Sequence, residues 1–226
     1  MSKYEYVRPA DIEKESMRII EAELKERGIE VPAENMTVVK RVIHTSADFD
    51  YGMNLKFTDG AVSRAVEALQ SGGCTFITDT NMALSGISKP SLKKLSAQAL
   101  CYMADEAIMK QAKEEGTTRA YASMRRGAAE YPNGIFVSGN APTALIALSE
   151  MIRDGLKPTL VVGMPVGFVN VVESKEELFE ICEEHDIPAI VAFGRKGGSN
   201  VAASICNALL YSAVDMVDPI KRGWQK

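Results

Sequence analysis

Histidine is scarce in this chain: two residues in 226, His44 and His185. Imidazole is the side chain whose unperturbed pKa lies near neutrality, so very few groups here can move a proton at physiological pH. Four cysteines, Cys74, Cys101, Cys182 and Cys206, are scattered without any C-x-x-C pair. That spacing excludes the usual structural zinc site and reads as reduced, cytosolic thiols. No apolar run reaches the roughly 20 residues a membrane-spanning helix needs. The start, Met1-Ser2-Lys3-Tyr4-Glu5-Tyr6, has no signal-peptide core. A basic surplus is also missing: the formal net charge is −4, which argues against a general nucleic-acid binder. There is no G-x-x-x-x-G-K-[ST] and no G-x-G-x-x-G. Gly194 to Ser199 resembles a P-loop only superficially, because its lysine precedes the glycine pair. H-E-x-x-H, G-x-S-x-G and EF-hand patterns are absent too. The expectation is a cytoplasmic protein with no bound metal, no redox cofactor, no membrane segment and no nucleic-acid partner.

Hydrophobic residues at 46% and charged residues at 25% are ordinary for a globular protein. A chain of this length suits one α/β domain, here residues 1–226. Asp11 to Arg27 carries Ile12, Ile19, Ile20 and Leu24 on one side, and Gly28 supplies a stop. Val38, Val39, Val42 and Ile43 fall at helical spacing, although their β-branching keeps a strand open as the alternative. If helical, this segment carries His44 in its last turn before the chain turns at Ser46-Ala47-Asp48.

Beyond Thr58 apolar strands alternate with amphipathic helices. Strands are expected at Cys74–Thr78, Ala99–Met103, Gly134–Ser138, Thr159–Gly163 and Pro188–Phe193. Helices are expected near 59–70, 106–113, 117–130, 141–154, 174–185 and 199–214. Continuous apolar strands separated by helices imply a parallel sheet covered on both faces. Right-handed crossovers make it doubly wound. The reading is therefore an α/β fold with a doubly wound, mostly parallel five-stranded sheet, helices on both faces and an N-terminal helical segment. Asp218 to Lys226 reads as a polar, frayed tail.

Ligands of open parallel sheets bind outside the C-terminal strand ends. Those ends lead into Thr78-Asp79-Thr80-Asn81-Met82, Ser138-Gly139-Asn140-Ala141, Gly163-Met164-Pro165-Val166-Gly167-Phe168 and Gly194-Arg195-Lys196-Gly197-Gly198-Ser199. Any βα loop needs turn residues, so one such loop says little. Four on one rim favour an anionic ligand, because glycines admit close approach and helix N-termini offer unpaired N–H groups. Lys93, Lys94 and Arg126 read as solvated surface, and His185 as a helix C-terminal residue. Arg119 opens a helix after Thr117-Thr118, where a cation opposes the dipole; that placement points to a ligand carboxylate.

Blocks across nearly the whole chain resemble the precorrin-8X methylmutase family, which includes the cobalt-precorrin-8 methylmutases. They are Ser16, Arg41-Val42-Ile43-His44, Thr78 to Met82, Gly116-Thr117-Thr118-Arg119, Gly139 to Leu145, Gly163 to Asn170, Glu173-Ser174-Lys175 and Arg195 to Ser199. The resemblance implies a flavodoxin-like fold and a homodimer with the site near the subunit interface. It implies migration of a methyl group from C11 to C12 of a corrinoid tetrapyrrole, giving hydrogenobyrinate or its cobalt form, without a cofactor; cobalt enters only with the substrate. It places the catalytic acid at His44. Substrate contacts are expected at Ser16, Thr80, Asn81, Met82, Arg119, Gly139, Asn140, Gly163, Pro165, Gly167, Arg195, Gly197, Gly198 and Ser199. Such a shift needs one proton donor and a rigid mould, and the residue inventory fits that demand. Substrate carboxylates should raise the His44 pKa while burial lowers it. Two other readings stay open: a non-catalytic corrinoid carrier, and a phosphate- or nucleotide-binding enzyme of the same fold class.

Overall fold

The computed structural model describes residues 9–222, with side chains from Asp11 onward. Its sheet has six strands: β1 (Leu55–Phe57), β2 (Thr75–Thr78), β3 (Gln98–Leu100), β4 (Ile135–Ser138), β5 (Leu160–Gly163) and β6 (Ala189–Ala192), in the order β1-β6-β5-β4-β2-β3. Strands β2 to β6 run parallel to one another. The expected count of five was one short. The extra strand is β1, antiparallel to β6 with Leu55 opposite Ala192 and Phe57 opposite Ile190. Three residues with Lys56 in the middle carry too little pattern to be read as a strand. The second expected strand, Ala99–Met103, is shorter and earlier, at β3.

Strand residues alternate between two cores. Phe76, Ile135, Val137, Leu160, Val162 and Ile190 pack on one face. The helices there are α1 (Pro9–Glu26), α2 (Met36–Ser46), α4 (Ala61–Ser71) and α11 (Ser199–Ala213). Ile77, Phe136, Val161 and Val191 pack on the other face. They meet α8 (Arg119–Glu130), α9 (Pro142–Arg153) and α10 (Val171–Glu184). Shorter helices are α3 (Tyr51–Asn54), α5 (Asn81–Gly86), α6 (Lys89–Lys94) and α7 (Glu106–Glu114).

The strand alternative for 38–43 is settled in favour of α2. Val38, Val39, Val42 and Ile43 are all buried on one helical face, and tertiary burial outweighs the modest helix penalty of β-branching. At the other terminus Pro219–Arg222 forms a 3-10 turn with Pro219 buried. This corrects the expectation of a frayed tail from Asp218 as far as Arg222; residues 223–226 lie outside the described part. The segment is held because the Arg222 guanidinium donates to Glu13 of α1 and lies 4.6 Å from the centre of the Tyr211 ring.

Strand β1 is the element that brings the N-terminal helices to the ligand-binding side of the sheet. Being antiparallel, it starts where β6 ends, and the Phe193 N–H donates to the Asn54 carbonyl at 2.8 Å. The segment between α2 and β1 therefore lies at the C-terminal rim of the parallel sheet.

Candidate functional site

Four loops meet on that rim. After β2, the Thr80 side chain caps α5 by accepting from the Ala83 N–H at 3.0 Å. Its hydroxyl also lies 2.7 Å from that of Ser199 at the start of α11. Asn81 and Met82 follow, and Met82 is 70% exposed. After β4, the N–H groups of Gly139, Asn140 and Ala141 all donate to the Asp79 carboxylate, at 2.7, 2.9 and 2.8 Å. The Ser138 hydroxyl adds a fourth bond. Burial pushes the Asp79 carboxyl up, against the lowering effect of those four bonds. The loop's donors are thus already taken by protein. Gly139 is buried, and what the loop presents outward is the exposed carboxamide of Asn140. Gly139 also abuts Ser199, whose Cα would stand 2.7 Å from an added Cβ.

After β5, Gly163, Met164 and Pro165 are buried, and Val166 to Asn170 emerge, with Phe168 81% and Val169 78% exposed. Arg195, from the β6–α11 loop, places its guanidinium 5.4 Å from the centre of the Phe168 ring. In the same loop Gly197 presses on Met164 and Pro165: an added Cβ would stand 2.4 and 2.5 Å from their carbonyl oxygens. The Gly198 N–H donates to the Met164 carbonyl at 2.8 Å, and the Gly167 N–H reaches the Arg195 carbonyl at 3.4 Å. Arg119 sits at the start of α8, exposed, with one long bond to the Met103 carbonyl. Its neighbour Thr118 bonds Thr143 in the first turn of α9, so Arg119 belongs to the same rim. Thr80, Asn81, Met82, Arg119, Gly139, Asn140, Gly163, Pro165, Gly167, Arg195, Gly197, Gly198 and Ser199 are therefore brought together.

His44 and Ser16 are not part of those four loops. His44 is in the last turn of α2 and exposed. The turn after it, Ala47 to Asp50, reaches the rim, where Lys196 donates to both Asp48 and Asp50 at 2.6 Å. Although its outer edge meets solvent, the imidazole is backed by protein. That loss of hydration holds its pKa below the usual histidine value. Arg41, one turn earlier, and Arg222 push the same way; Glu13 opposes them. Ser16 lies on α1 with its hydroxyl bonded to the Ile12 carbonyl. It is one turn from Glu13, which pairs with Arg41 of α2 at 2.7 Å. A groove of 440 Å³ between α1, α2 and the C-terminal segment is lined by Glu13, Met17, Lys40, Arg41 and Pro219, off the rim.

Two structural residues of the rim were not singled out from sequence as part of the site. Asp79 is one. Lys175 is the other: it is fully buried, and its ammonium donates to the carbonyls of Gly194 and Lys196, both at 2.8 Å. Burial lowers its pKa to about 8. The signal was present in α10, where Val171, Ser174, Lys175, Leu178 and Cys182 share the buried face. A lysine at a core position of a helical pattern marks an internal strut.

Known proteins resemble this chain in sequence and in architecture. The family model described as precorrin-8X methylmutase matches residues 11–212. A cobalt-precorrin-8 methylmutase of Priestia megaterium is 40% identical over 204 residues, 90% of this chain and 88% of that protein. One from Salmonella typhimurium is 46% identical over 175 residues, 77% of this chain and 80% of that protein. The crystal structure of a precorrin-8X methyl mutase from Thermus thermophilus superposes with a TM-score of 0.79 at 36% identity, covering 91% of this chain and 98% of that one.

Proposed function

The chain belongs to the precorrin-8X methylmutase family, and from that premise we propose that it is an isomerase moving one methyl group from C11 to C12 of a corrinoid ring. The substrate is precorrin-8X or its cobalt form, and the product hydrogenobyrinate or cobyrinate, in cobalamin biosynthesis. The observation that carries the reading onto this chain is spatial. His44, one of its two imidazoles, lies just before the turn whose Asp48 and Asp50 are tied by Lys196 to a rim formed by the loops at Thr80, Gly139, Gly163 and Arg195, which the sequence disperses over more than half its length.

An intramolecular methyl shift adds and removes no atoms and needs no electron carrier, so the reading assigns no cofactor. What it needs is an acid and a mould. His44 is open to a ligand, and its lowered pKa leaves it neutral in the free protein, able to donate one hydrogen bond. Bound carboxylates would favour its charged form and turn that bond into proton donation. Arg119 and Arg195 are the cations for the substrate's acetate and propionate groups. Met82, Phe168 and Val169, exposed on the same rim, suit the apolar face and methyl groups of the ring. Thr80, Asn81, Asn140 and Ser199 supply polar contacts. Gly139, Gly163, Pro165, Gly167, Gly197 and Gly198 shape the floor. Ser16, on α1 and outside those loops, is assigned a substrate contact from the family resemblance alone.

We read the fold as flavodoxin-like and residues 1–226 as one unit; the order β3-β2-β4-β5-β6 of the parallel strands supports this. We also read the protein as a cytoplasmic homodimer. Ile12 and Ile19, 51% and 48% exposed on either side of Ser16, support a second copy covering α1. Light scattering at micromolar concentration should return twice the chain mass, and a monomer would refute the dimer.

The decisive assay uses substoichiometric protein with the cobalt-bearing substrate first, because both relatives above are named for it. Multiple turnovers are expected, followed by the spectral change of the ring. One equivalent of change per chain would mark a carrier instead. His44→Ala should lower kcat roughly 10²–10⁴-fold; near-normal turnover would remove His44 from the acid role.

A further inference from the structure

We propose that Lys196, with its own backbone fixed by buried Lys175, is a positioning residue that holds the catalytic end of α2 against the rim. This rests on reading His44 as the acid.

The contacts run in an unbroken line. Lys175 is fully buried on α10 and directs its ammonium at two main-chain carbonyls of the β6–α11 loop, those of Gly194 and Lys196. The side chain of Lys196 then leaves the loop and bridges Asp48 and Asp50. Those carboxylates belong to the turn that closes α2 directly after His44. That turn is tied to the N-terminal helices by its own contacts, and to the sheet's loops by Lys196. Its cap, Ala47, adopts a left-handed conformation (φ 54°) that a residue with a Cβ disfavours. Its bonds are local: the Ala47 N–H to the Ile43 carbonyl, the Asp48 N–H to the Ser46 hydroxyl at 3.3 Å, the Asp50 N–H to the Asp48 carboxylate at 3.0 Å, and the Phe49 and Asp50 carbonyls to N–H groups of α3, while Phe49 packs on the helical side of the core beneath Arg27. Lys196 is the group that ties it to the parallel sheet's loops.

The sequence neighbours of Lys196 are expected substrate contacts, and a lysine beside a carboxylate-rich ligand invites the same role. Its charge, however, is already matched by two carboxylates, and those bonds raise its pKa. The charges acting on His44 are Arg41, Glu13 and Arg222, with neither Asp48 nor Asp50 among them. Removing Lys196 therefore reaches the imidazole mainly through the geometry of the turn. A hydrogen bond to a reacting ring tolerates little displacement, so a loosened turn costs rate more than affinity.

The chain's two histidines make the test direct. Ring signals of His44 and His185 can be followed by NMR in the unliganded protein and assigned with His185→Gln. Lys196→Met should move and broaden the His44 signal while leaving that of His185 in place. It should lower kcat about tenfold with KM changed less than about twofold. Lys196→Arg, which can still bridge both carboxylates, should restore signal and rate. An unmoved His44 signal in Lys196→Met overturns the proposal. So does a raised KM with unchanged kcat, which would make Lys196 a substrate contact. The NMR arm needs no turnover, so the coupling is decided even if His44→Ala remains active.

Discussion

Burying Lys175 costs free energy. Its pKa falls from 10.5 to about 8 because the protein strips water from the ammonium. At neutral pH the folded state therefore bears a penalty of roughly 3 kcal/mol. The sign is definite. Between about 8 and 10.5 the unfolded chain still holds this proton while the native one has lost it, so this group's contribution to stability rises with pH through that window. Below about 8 the penalty is complete. Urea unfolding of wild type and Lys175→Met at a series of pH values should show the difference shifting toward wild type by roughly 3 kcal/mol; a difference independent of pH would contradict the assignment. Asp79 is the complementary case, a buried carboxylate collecting four donors. Asp79→Asn replaces one acceptor oxygen with an amide that faces N–H groups. It should cost roughly 3 kcal/mol in chemical denaturation, and full stability would mean that the Gly139 loop is held by something else.

At the scale of elements, legibility followed burial pattern. Helix α2 could be read because Val38, Val39, Val42 and Ile43 repeat at helical spacing and all four are buried. The parallel strands could be read because every residue in β2, β4, β5 and β6 is buried. Strand β1 could not, since three residues with an exposed lysine resemble any loop. Helices α5 and α6, six residues each, are likewise below the length at which periodicity speaks. The loops were legible as glycine-rich, but the reason for each glycine was not. Gly197 lacks a side chain because two carbonyl oxygens occupy the space. Gly197→Ala should therefore destabilise by roughly 2 kcal/mol and displace Met164 and Pro165, readable as a lower denaturation midpoint together with slower turnover. An unchanged midpoint would show that the loop can yield.

At the scale of the molecule, the first and last described elements are joined. Glu13 of α1 accepts from Arg41 and Arg222, with side chains 7–11% exposed for the three residues, and both guanidinium groups lie over Tyr211. These bonds hold the Glu13 carboxyl below its usual range despite burial. Removing one member of such a cluster leaves charge poorly solvated. Truncation after Val217 should lower Tm by about 10 °C, from roughly 3–5 kcal/mol at 2–4 °C each. Thermal circular dichroism would measure it, and a shift under about 2 °C would mean the C-terminal turn contributes little. The same cluster surrounds His44, so the joining of the termini and the setting of the proposed acid are one construction.

By itself the sequence determined the alternation of strands and helices, the parallel direction of five strands and the location of four glycine-rich exits on one rim. Each of these follows from local patterns of apolar residues and from a fixed crossover hand. It also singled out His44, through scarcity and through family resemblance. The tertiary structure alone decided how the turn after His44 meets the rim. That depends on an antiparallel edge pairing of β1 with β6 and on Lys196 reaching Asp48 across 148 residues. It also decided that the N–H groups of Gly139, Asn140 and Ala141 are satisfied from within, by Asp79. Partner choice between segments far apart in the chain is a property of the packed whole, and no local period encodes it.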